Sequence, residues 1–439
     1  MDFLISHVTA VTLDPQLRVL PDAFLGIDGG KITYLSQEPP KEQPREILDA
    51  TGLVALPGLI NCHTHLPQTV LRGWADEVDE RTRLAEKIYP AEERMDGELA
   101  EAAALLGIAE SLRCGVTSVS SLDGPLEAVA KACARSGIKA NLAPGISMYL
   151  GDDFDFETYP DCQALVKTVE QYHGYDNGRI RIDAGLHGVF SSSPPLWDAL
   201  HEYAVNNHLG LQLHLAETDT DNQDALERWG LSPAEILDCS GLFSVPTQAA
   251  GCGSLLEADA KLLARRGASA VLCPLCEAKL GKPTADPAAL AKAGLNVALG
   301  TGSAAEAGSL DLFRAMRAAC LAAKARSSDP TALPAQAALL MATVCGAKAQ
   351  GRSGECGMLQ VGLDADLILL DFTQPQLIPC HNPYSNLVYT AAGADVVLTM
   401  VRGKILYAAG KFPTIDLSSV VETLTQAMPR LFGDNKEES

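Results

Sequence analysis

The two ends of the chain and its middle carry different patterns of apolar and polar residues. Both ends contain short stretches in which the two kinds alternate between glycines and prolines, which predicts β-strands. These strands cover residues 3–12, 24–28, 31–36, 365–370, 396–401 and 404–407. Two strand-rich arms around a long middle predict one small β-sandwich domain built from residues 1–56 and 355–415. The remaining segment, 416–439, is predicted to be a helix over 417–432 and a tail.

The middle of the chain, residues 57–354, alternates between strand-like and helix-like stretches. Glycine often closes the helical stretches, as Gly115, Gly137 and Gly267 do, which is typical of helix ends. The predicted strands are 53–62, 116–122, 138–146, 180–187, 209–215, 246–252, 268–273 and 295–301. Eight such units predict an α/β fold of the (β/α)8 barrel type. A doubly wound sheet is the alternative, although it usually has fewer units.

Titratable side chains follow three of the predicted barrel strands. His63 and His65 end the first strand, His187 the fourth, and His214 and Glu217 the fifth. In a (β/α)8 barrel the chemistry lies at the carboxyl ends of the strands. The sequence therefore predicts that these five side chains share the mouth of the barrel.

The three histidines of strands 1 and 5 have the character of metal ligands. His63 and His65 are two residues apart, so strand geometry places both imidazoles on one face. His214 can add a third nitrogen from across the barrel, as in zinc sites. Glu217 is predicted to shuttle protons beside the metal. His187 is predicted either to contact the substrate or to be an ordinary polar residue, and the sequence leaves both readings open.

Charge and cysteine content narrow the class of protein. The chain has 439 residues, 34 basic and 55 acidic, for a formal net charge of −21. Such an acidic surface repels nucleic acid and anionic membranes, so neither is expected as a partner. The 12 cysteines are scattered apart from Cys273 and Cys276, which predicts reduced thiols and a cytoplasmic protein. No leader or membrane-spanning segment is expected either.

Three motifs give the chain a resemblance to a known superfamily. They are LPGLINCHTHLPQTVLRG at 56–73, HLAET at 214–218 and GLDADLILLD at 362–371. In these the chain resembles the amidohydrolase superfamily, in its chlorohydrolase and methylthioadenosine/S-adenosylhomocysteine deaminase branch. The resemblance implies a barrel with a β-sandwich and removal of ammonia, or another leaving group, from a purine-like or triazine-like small molecule. Relatives of this type are often dimers, so a homodimer is an open expectation.

The resemblance also implies roles for individual residues. His63, His65 and His214 match the ligands of one divalent metal, for which zinc is expected. Glu217 matches the proton-transfer carboxylate, whereas Glu92 and His187 match positions that contact the substrate.

The chain departs from the family pattern at the ends of strands 6, 7 and 8. The resemblance implies histidines where this sequence has Gly251, Ser254 and Leu272, and Ser-Asn where it has Cys276-Glu277. Gly302 stands where a metal-binding aspartate is implied. The glycines leave room that a substrate carboxylate, a bound anion or Glu277 could fill. Three histidines can still hold zinc with water in the fourth position, so one divalent metal is expected; the lost aspartate could weaken its binding or abolish it, and turnover is expected to suffer more than metal binding.

These departures leave three hypotheses open. The first is a working hydrolase with a rearranged site, and the second is a catalytically silent relative that binds a ligand or has a structural role. The third is thiol chemistry at Cys252 or Cys273. The alternative for these two residues is that they are buried and inert, which is the more common role of cysteine.

Overall fold

The strands fall into a β domain and a barrel. The computed structural model describes residues 1–149, 151 and 153–433. Its strands in chain order are β1 (Phe3–Val11), β2 (Val19–Asp28), β3 (Lys31–Ser36), β4 (Glu46–Asp49), β5 (Leu53–Pro57), β6 (Leu59–Thr64), β7 (Val116–Leu122), β8 (Lys139–Ala143), β9 (Ile180–Ile182), β10 (Ala184–Leu186), β11 (Leu211–Leu215), β12 (Thr247–Gly251), β13 (Ser269–Leu272), β14 (Asn296–Leu299), β15 (Leu367–Asp371), β16 (Val396–Val401) and β17 (Lys404–Ala408).

Helices separate the barrel strands. Those of six or more residues are Leu66–Leu71, Thr82–Ile88, Gly97–Arg113, Leu126–Ser136, Pro160–Tyr172, Pro194–Asn206, Asp219–Trp229, Pro233–Cys239, Glu257–Arg266, Pro274–Lys279, Pro287–Lys292, Leu312–Ser327, Ala335–Met341, Val344–Ala349 and Leu417–Phe432. The first of these is a 3-10 helix, and the second is a π-helix that continues into Tyr89–Glu93. No helix in the described part of the chain is long and apolar enough to cross a membrane.

The barrel consists of parallel strands, as the alternation of strands and helices predicted. Within the described residues, one sheet has the order β6-β7-β8-β9 and another the order β10-β11-β12-β13-β14. Strands β9 and β10 are two halves of the predicted fourth strand, separated by Asp183. The backbone N–H of Asp183 donates to Leu142 (2.8 Å), whereas that of Ala184 donates to Gly210 (2.8 Å). The chain thus changes partner at Asp183 and joins the two sheets.

The other seam of the barrel lies where β14 meets β6. The backbone N–H groups of Thr301 and Gly302 both donate to the carbonyl oxygen of His63, at 3.1 Å each. The side chain of Asn61 also donates to the Thr301 hydroxyl at 2.8 Å. A Cβ atom on Gly300 would lie 2.8 Å from the same His63 oxygen, so this close approach requires glycine. The seam therefore fixes the end of β6, which carries the first two histidines.

The β domain draws its strands from both ends of the chain, as predicted. Hydrogen bonds join them into one sheet with the order β17-β16-β15-β5-β1-β2-β3, and β4 pairs with β1. The stretch predicted as one strand over 53–62 is two strands, one in each domain. They are separated at Gly58, where a Cβ atom would lie 2.1 Å from the Thr117 hydroxyl oxygen. This glycine lets the chain pass closely from the β domain into the barrel.

A buried lysine joins the barrel to the β domain. Lys139 begins β8 and is fully buried, and its ammonium group lies 2.5 Å from Asp366 and 2.8 Å from Asp364. Burial alone would raise the pKa of Asp364, but Lys139 and Lys31 hold it at about 2. Buried ion pairs are costly to break, because the remaining partner is left as an uncompensated charge. The two domains are therefore coupled through this cluster.

Replacing Lys139 by methionine is expected to destabilise the whole chain. The substitution leaves the two aspartates without their shared cation, so we expect the free energy of unfolding in denaturant to fall by about 3–5 kcal/mol. The matched control is Lys261→Met, which breaks an exposed pair with Glu257 and should leave the unfolding midpoint unchanged. Equal effects of the two substitutions would show that Lys139 does not couple the domains.

Candidate metal centre and active site

Three imidazole rings converge at the carboxyl ends of β6 and β11. The ring centroid of His63 lies 4.9 Å from that of His65 and 4.9 Å from that of His214. The Nε2 atoms of His63 and His214 are only 3.2 Å apart. One nitrogen from each ring lies within 4.8 Å of the other two, and no other trio of potential metal ligands in the described residues is as close. The structure thus brings together all three predicted ligands.

Backbone carbonyl groups orient two of these rings. The Nδ1 atom of His65 lies 2.6 Å from the carbonyl oxygen of Leu122, and that of His214 lies 2.8 Å from the carbonyl oxygen of His187. A carbonyl oxygen can only accept, so Nδ1 carries the proton in each ring. The Nε2 lone pair is then left for the centre of the cluster, which is the usual arrangement around histidines that bind a metal.

Two of the rings, His63 and His214, are held in the neutral form that metal binding requires. Burial, together with the neighbouring imidazoles, lowers the pKa of His63 well below its usual value. Burial and the nearby His65 lower the pKa of His214 to about 4. Both rings therefore carry a free lone pair near neutral pH.

A left-handed residue turns Glu217 back toward the mouth. Ala216 follows β11 with φ of 47°, a conformation that is rare outside glycine. Glu217 then lines the same cavity as the histidines. Its carboxylate lies 3.2 Å from the ammonium of Lys282, which also lies 3.0 Å from Glu80. Burial alone would lower the pKa of Lys282, but the two carboxylates raise it, so the lysine stays charged.

The two predicted substrate-contact residues also line this cavity, whose volume is about 610 Å³. Glu92 accepts a hydrogen bond from the Gln68 amide at 2.8 Å, and burial raises its pKa. Nδ1 of His187 lies 2.9 Å from the Ser191 hydroxyl, and burial lowers the pKa of this imidazole to about 3. A neutral imidazole and a buried carboxyl group are both suited to hydrogen-bonding a polar ligand.

Sequence reasoning missed a buried carboxyl group at the end of β7. Asp123 follows this strand directly, and its carboxylate lies 3.9 Å from Nδ1 of His65. It accepts a hydrogen bond from Ser121, and burial raises its pKa to about 7. The signal was present, because Asp123 occupies the carboxyl end of the second barrel strand, where functional residues collect.

Sequence reasoning also missed the ion pair between Glu306 and Arg83. The guanidinium of Arg83 lies 2.8 Å from the Glu306 carboxylate, and the Cys276 thiol donates to the same carboxylate at 3.3 Å. Burial alone would raise the pKa of Glu306, but Arg83 is the main influence that holds it at about 2. The only sequence signal was the S-x-x-E pattern from Ser303 to Glu306, which is typical of a helix start and says nothing of a cavity.

The positions of Gly251 and Gly302 are not empty space. A Cβ atom on Gly251 would lie 2.6 Å from Cγ of Glu217, and one on Gly302 would lie 3.1 Å from Cβ of Cys276. Both glycines have positive φ, 89° and 66° respectively. Neighbouring side chains therefore crowd the Cβ positions of both glycines, which still line the cavity. Glu277, which the sequence suggested as a group that could fill the room at these glycines, accepts a hydrogen bond from the Cys273 backbone N–H at 2.8 Å.

The two cysteines that the sequence singled out lack the features of reactive thiols. Cys252 and Cys273 are buried, and burial raises the pKa of both. A thiol must ionise to act as a nucleophile, and reactive cysteines have a lowered pKa. The structure thus gives no support to the hypothesis of thiol chemistry.

The chain belongs to the amidohydrolase family, whose characteristic sequence pattern it matches over residues 54–406. It is 36% identical over 428 residues to a 5-methylthioadenosine/S-adenosylhomocysteine deaminase of Caldicellulosiruptor saccharolyticus, covering 97% of each chain. It is 34% identical over 430 residues to a 5'-deoxyadenosine deaminase of Methanosarcina mazei, covering 98% of each. The resemblance seen in the three sequence motifs is therefore confirmed.

Solved structures agree with this membership. An adenosine deaminase of Xanthomonas campestris with bound zinc superimposes with a TM-score of 0.91 at 28% identity, covering 98% of each chain. An atrazine chlorohydrolase of Arthrobacter aurescens complexed with zinc gives a TM-score of 0.88 at 25% identity, covering 97% of this chain and all of the other. The barrel and the added β domain are thus those of amidohydrolase structures.

Replacing Gly251 by alanine is expected to disturb Glu217. The new Cβ atom adds overpacking against Glu217 to the strain of a positive φ, so the free energy of unfolding should fall by about 2–5 kcal/mol. Gly267→Ala is the control, since Gly267 has a φ of 74° but no atom within 4 Å of its Cβ position. It should cost about 1–2 kcal/mol. A similar loss in both variants, measured in denaturant, would mean that Glu217 does not fill this space.

Proposed function

We propose that this chain is a zinc-dependent deaminase of adenosine-type small molecules, with Glu217 as its proton-transfer residue. The single observation that carries the proposal is the convergence of His63, His65 and His214 in the cavity that this carboxylate also lines. Relatives over the full length are deaminases of 5-methylthioadenosine, S-adenosylhomocysteine and 5'-deoxyadenosine. This similarity supports a substrate with an aminated purine ring.

The donor set fits a zinc ion. Neutral imidazoles with oriented Nε2 lone pairs are ordinary zinc ligands, and three protein ligands are common in catalytic zinc sites. The 3.2 Å approach of two Nε2 atoms also suits a shared ion, since two imidazole lone pairs repel each other without a proton or a cation between them. When bound there, a divalent metal would lower the pKa of a coordinated water.

The remaining residues supply orientation and proton transfer. Water adds to the ring carbon, the bond from that carbon to the amino nitrogen breaks, and ammonia leaves. Glu217 takes the proton from the attacking water and delivers it to the departing nitrogen. His187 and Glu92 hold the ring by hydrogen bonds. The Lys282 ammonium keeps the Glu217 carboxylate in place between turnovers.

A second candidate function is ligand binding without turnover. Gly251 and Gly302 favour it, because the resemblance places a catalytic histidine and a metal-binding aspartate there, and in this chain other side chains take up that space. A proton-transfer group contributes about 10²–10⁴-fold to a rate, and an electrostatic group about 10²–10³-fold. A site without them could keep its affinity for a nucleoside and lose most of its rate.

Metal content and ammonia release test the main proposal. Protein purified without added metal is expected to contain about one zinc per chain, because three imidazoles can hold the ion, and His63→Ala should lose it. Ammonia release is then measured with adenosine, 5'-deoxyadenosine and methylthioadenosine. Glu217→Gln should keep the zinc but lower kcat by about 10²–10⁴-fold, because proton transfer is lost.

The same experiment separates the two candidate functions. A zinc-loaded chain that releases no ammonia, yet melts at a higher temperature when a nucleoside is added, would establish binding without turnover. A chain that neither binds zinc nor responds to nucleosides would contradict both.

A further inference from the structure

One loop supplies a large part of the cavity wall. It follows β6 and leads to the helix Gly97–Arg113, and we call its residues 75–93 the cavity loop. Among the side chains that line the cavity, Glu80, Arg83 and Glu92 belong to this loop. Glu92 is one of the two residues that hold the ring in the proposed function. The position of the cavity loop therefore bears directly on substrate binding.

Ion pairs hold the first half of the cavity loop to the rim. Three of them join Asp76 to Lys279, Glu80 to Lys282 and Arg83 to Glu306, at 2.6, 3.0 and 2.8 Å. Glu92 lies in the other half, near the point where the loop ends. Its orientation therefore also depends on how the two ends of the loop are held.

The last turn of the helix Leu417–Phe432 packs against the residue that precedes the cavity loop. The ring centroids of Phe432 and Trp74 are 4.4 Å apart, with an angle of 50° between the ring planes. Such aromatic pairs stabilise a contact beyond the area that they bury. The Lys87 ammonium lies 4.9 Å from the Trp74 ring centroid. Trp74 thus connects the end of the helix with the π-helix of the loop.

The same turn also contacts the residues that follow the cavity loop. The Arg94 guanidinium donates a hydrogen bond to the carbonyl oxygen of Leu431 at 3.0 Å. This carbonyl is one of the last four of its helix, which have no donor within the helix. The Arg430 guanidinium lies 2.8 Å from the Asp96 carboxylate, but both side chains are exposed, so this pair adds little. Three successive residues of the helix therefore contact both flanks of the loop.

The helix that makes these contacts is itself anchored. Val420, Leu424 and Leu431 are buried and belong to the large hydrophobic core that includes the barrel strands. An anchored element that contacts a loop before its first residue and after its last one holds the two ends at a fixed separation. Fixing the ends removes conformations that the loop would otherwise sample.

We propose that the last turn of the helix Leu417–Phe432 positions the cavity loop for substrate, chiefly through the contact of Phe432 with Trp74. The proposal rests on the proposed function, in which Glu92 of the loop holds the substrate. Neither Phe432 nor Trp74 is among the residues that line the cavity. Both are therefore positioning residues, and they act through the loop on the affinity for the substrate.

Steady-state kinetics test the proposal. In Phe432→Ala, loss of the ring contact is expected to raise KM for the preferred nucleoside by about 3–10-fold. The value of kcat should change by less than about twofold, because the metal ligands and Glu217 lie outside the loop. Phe432→Tyr keeps an aromatic ring and should keep the KM of the unaltered chain.

Val420→Ala is the matched control on the same helix. Val420 is buried near the other end of this helix, about 18 Å from Phe432 along the helix axis. Its truncation should lower the stability of the fold and leave KM unchanged. An unchanged KM in Phe432→Ala would overturn the proposal, as would an equal rise in Val420→Ala.

Trypsin cleavage tests the positioning of the loop without reference to turnover. Arg81 is exposed within the cavity loop, and exposed loops are cut where their backbone opens. Phe432→Ala should be cut after Arg81 about 3–10-fold faster than the unaltered chain, because cleavage follows the population of the open loop. Phe432→Tyr and Val420→Ala should be cut there at the rate of the unaltered chain. An unchanged rate in Phe432→Ala, or faster cleavage spread over its whole chain, would overturn the proposal.

The two measurements separate this proposal from the proposed function. If the unaltered chain releases no ammonia, the dissociation constant of the nucleoside, obtained from its effect on the melting temperature, takes the place of KM. A 3–10-fold rise of that constant in Phe432→Ala, with faster cleavage after Arg81, supports positioning in a chain without turnover. Ammonia release with equal KM values and cleavage rates in all variants overturns the positioning role alone. A chain that binds no nucleoside overturns both proposals.

Discussion

The hydrogen bonds from Thr301 and Gly302 to the carbonyl oxygen of His63 close the barrel, and the rest of the site depends on that closure. They fix the end of β6 against the end of β14. At the opposite seam, the backbone changes its hydrogen-bonding partner at Asp183, which joins the first sheet of the barrel to the second. Only when both seams are made do β6 and β11 face each other at the distance that brings two Nε2 atoms within 3.2 Å. The geometry of the centre is thus a property of the closed barrel.

The second constraint is that buried charges need partners of opposite sign. In this cavity, the ion pairs that provide them link different parts of the rim. Lys282 connects Glu80 of the first loop with Glu217 after β11. Arg83 connects the π-helical segment Thr82–Ile88 with Glu306 after β14. Each pair joins elements far apart in sequence. The ion pairs therefore connect the segments of the rim, so removing one carboxylate also removes a contact of the segment on the other side of the mouth.

The sequence predicted the fold and the imidazole cluster well, because both follow from local rules. Glycine-bounded strands define the eight units, and period-two spacing places His63 and His65 on one face. Glu306, Arg83 and Lys282 were not predictable in this way, since the Arg83–Glu306 and Lys282–Glu217 pairs span 223 and 65 residues and depend on side-chain direction. Asp123 lies between these cases. It stands at a strand end, as the barrel rule requires, but a single aspartate has no spacing pattern to distinguish it.

The departures at Gly251 and Gly302 also look different in three dimensions. In the sequence they are missing side chains, whereas in the structure the stem of Glu217 packs at the first position, and Cys276 and Glu306 at the second. A histidine or an aspartate restored alone would meet these neighbours on a backbone with positive φ. Both glycines are thus closely packed positions of the cavity wall. Glu217 joins the two features, because its stem packs at Gly251 and its carboxylate pairs with Lys282, so the wall and the charged rim share this side chain.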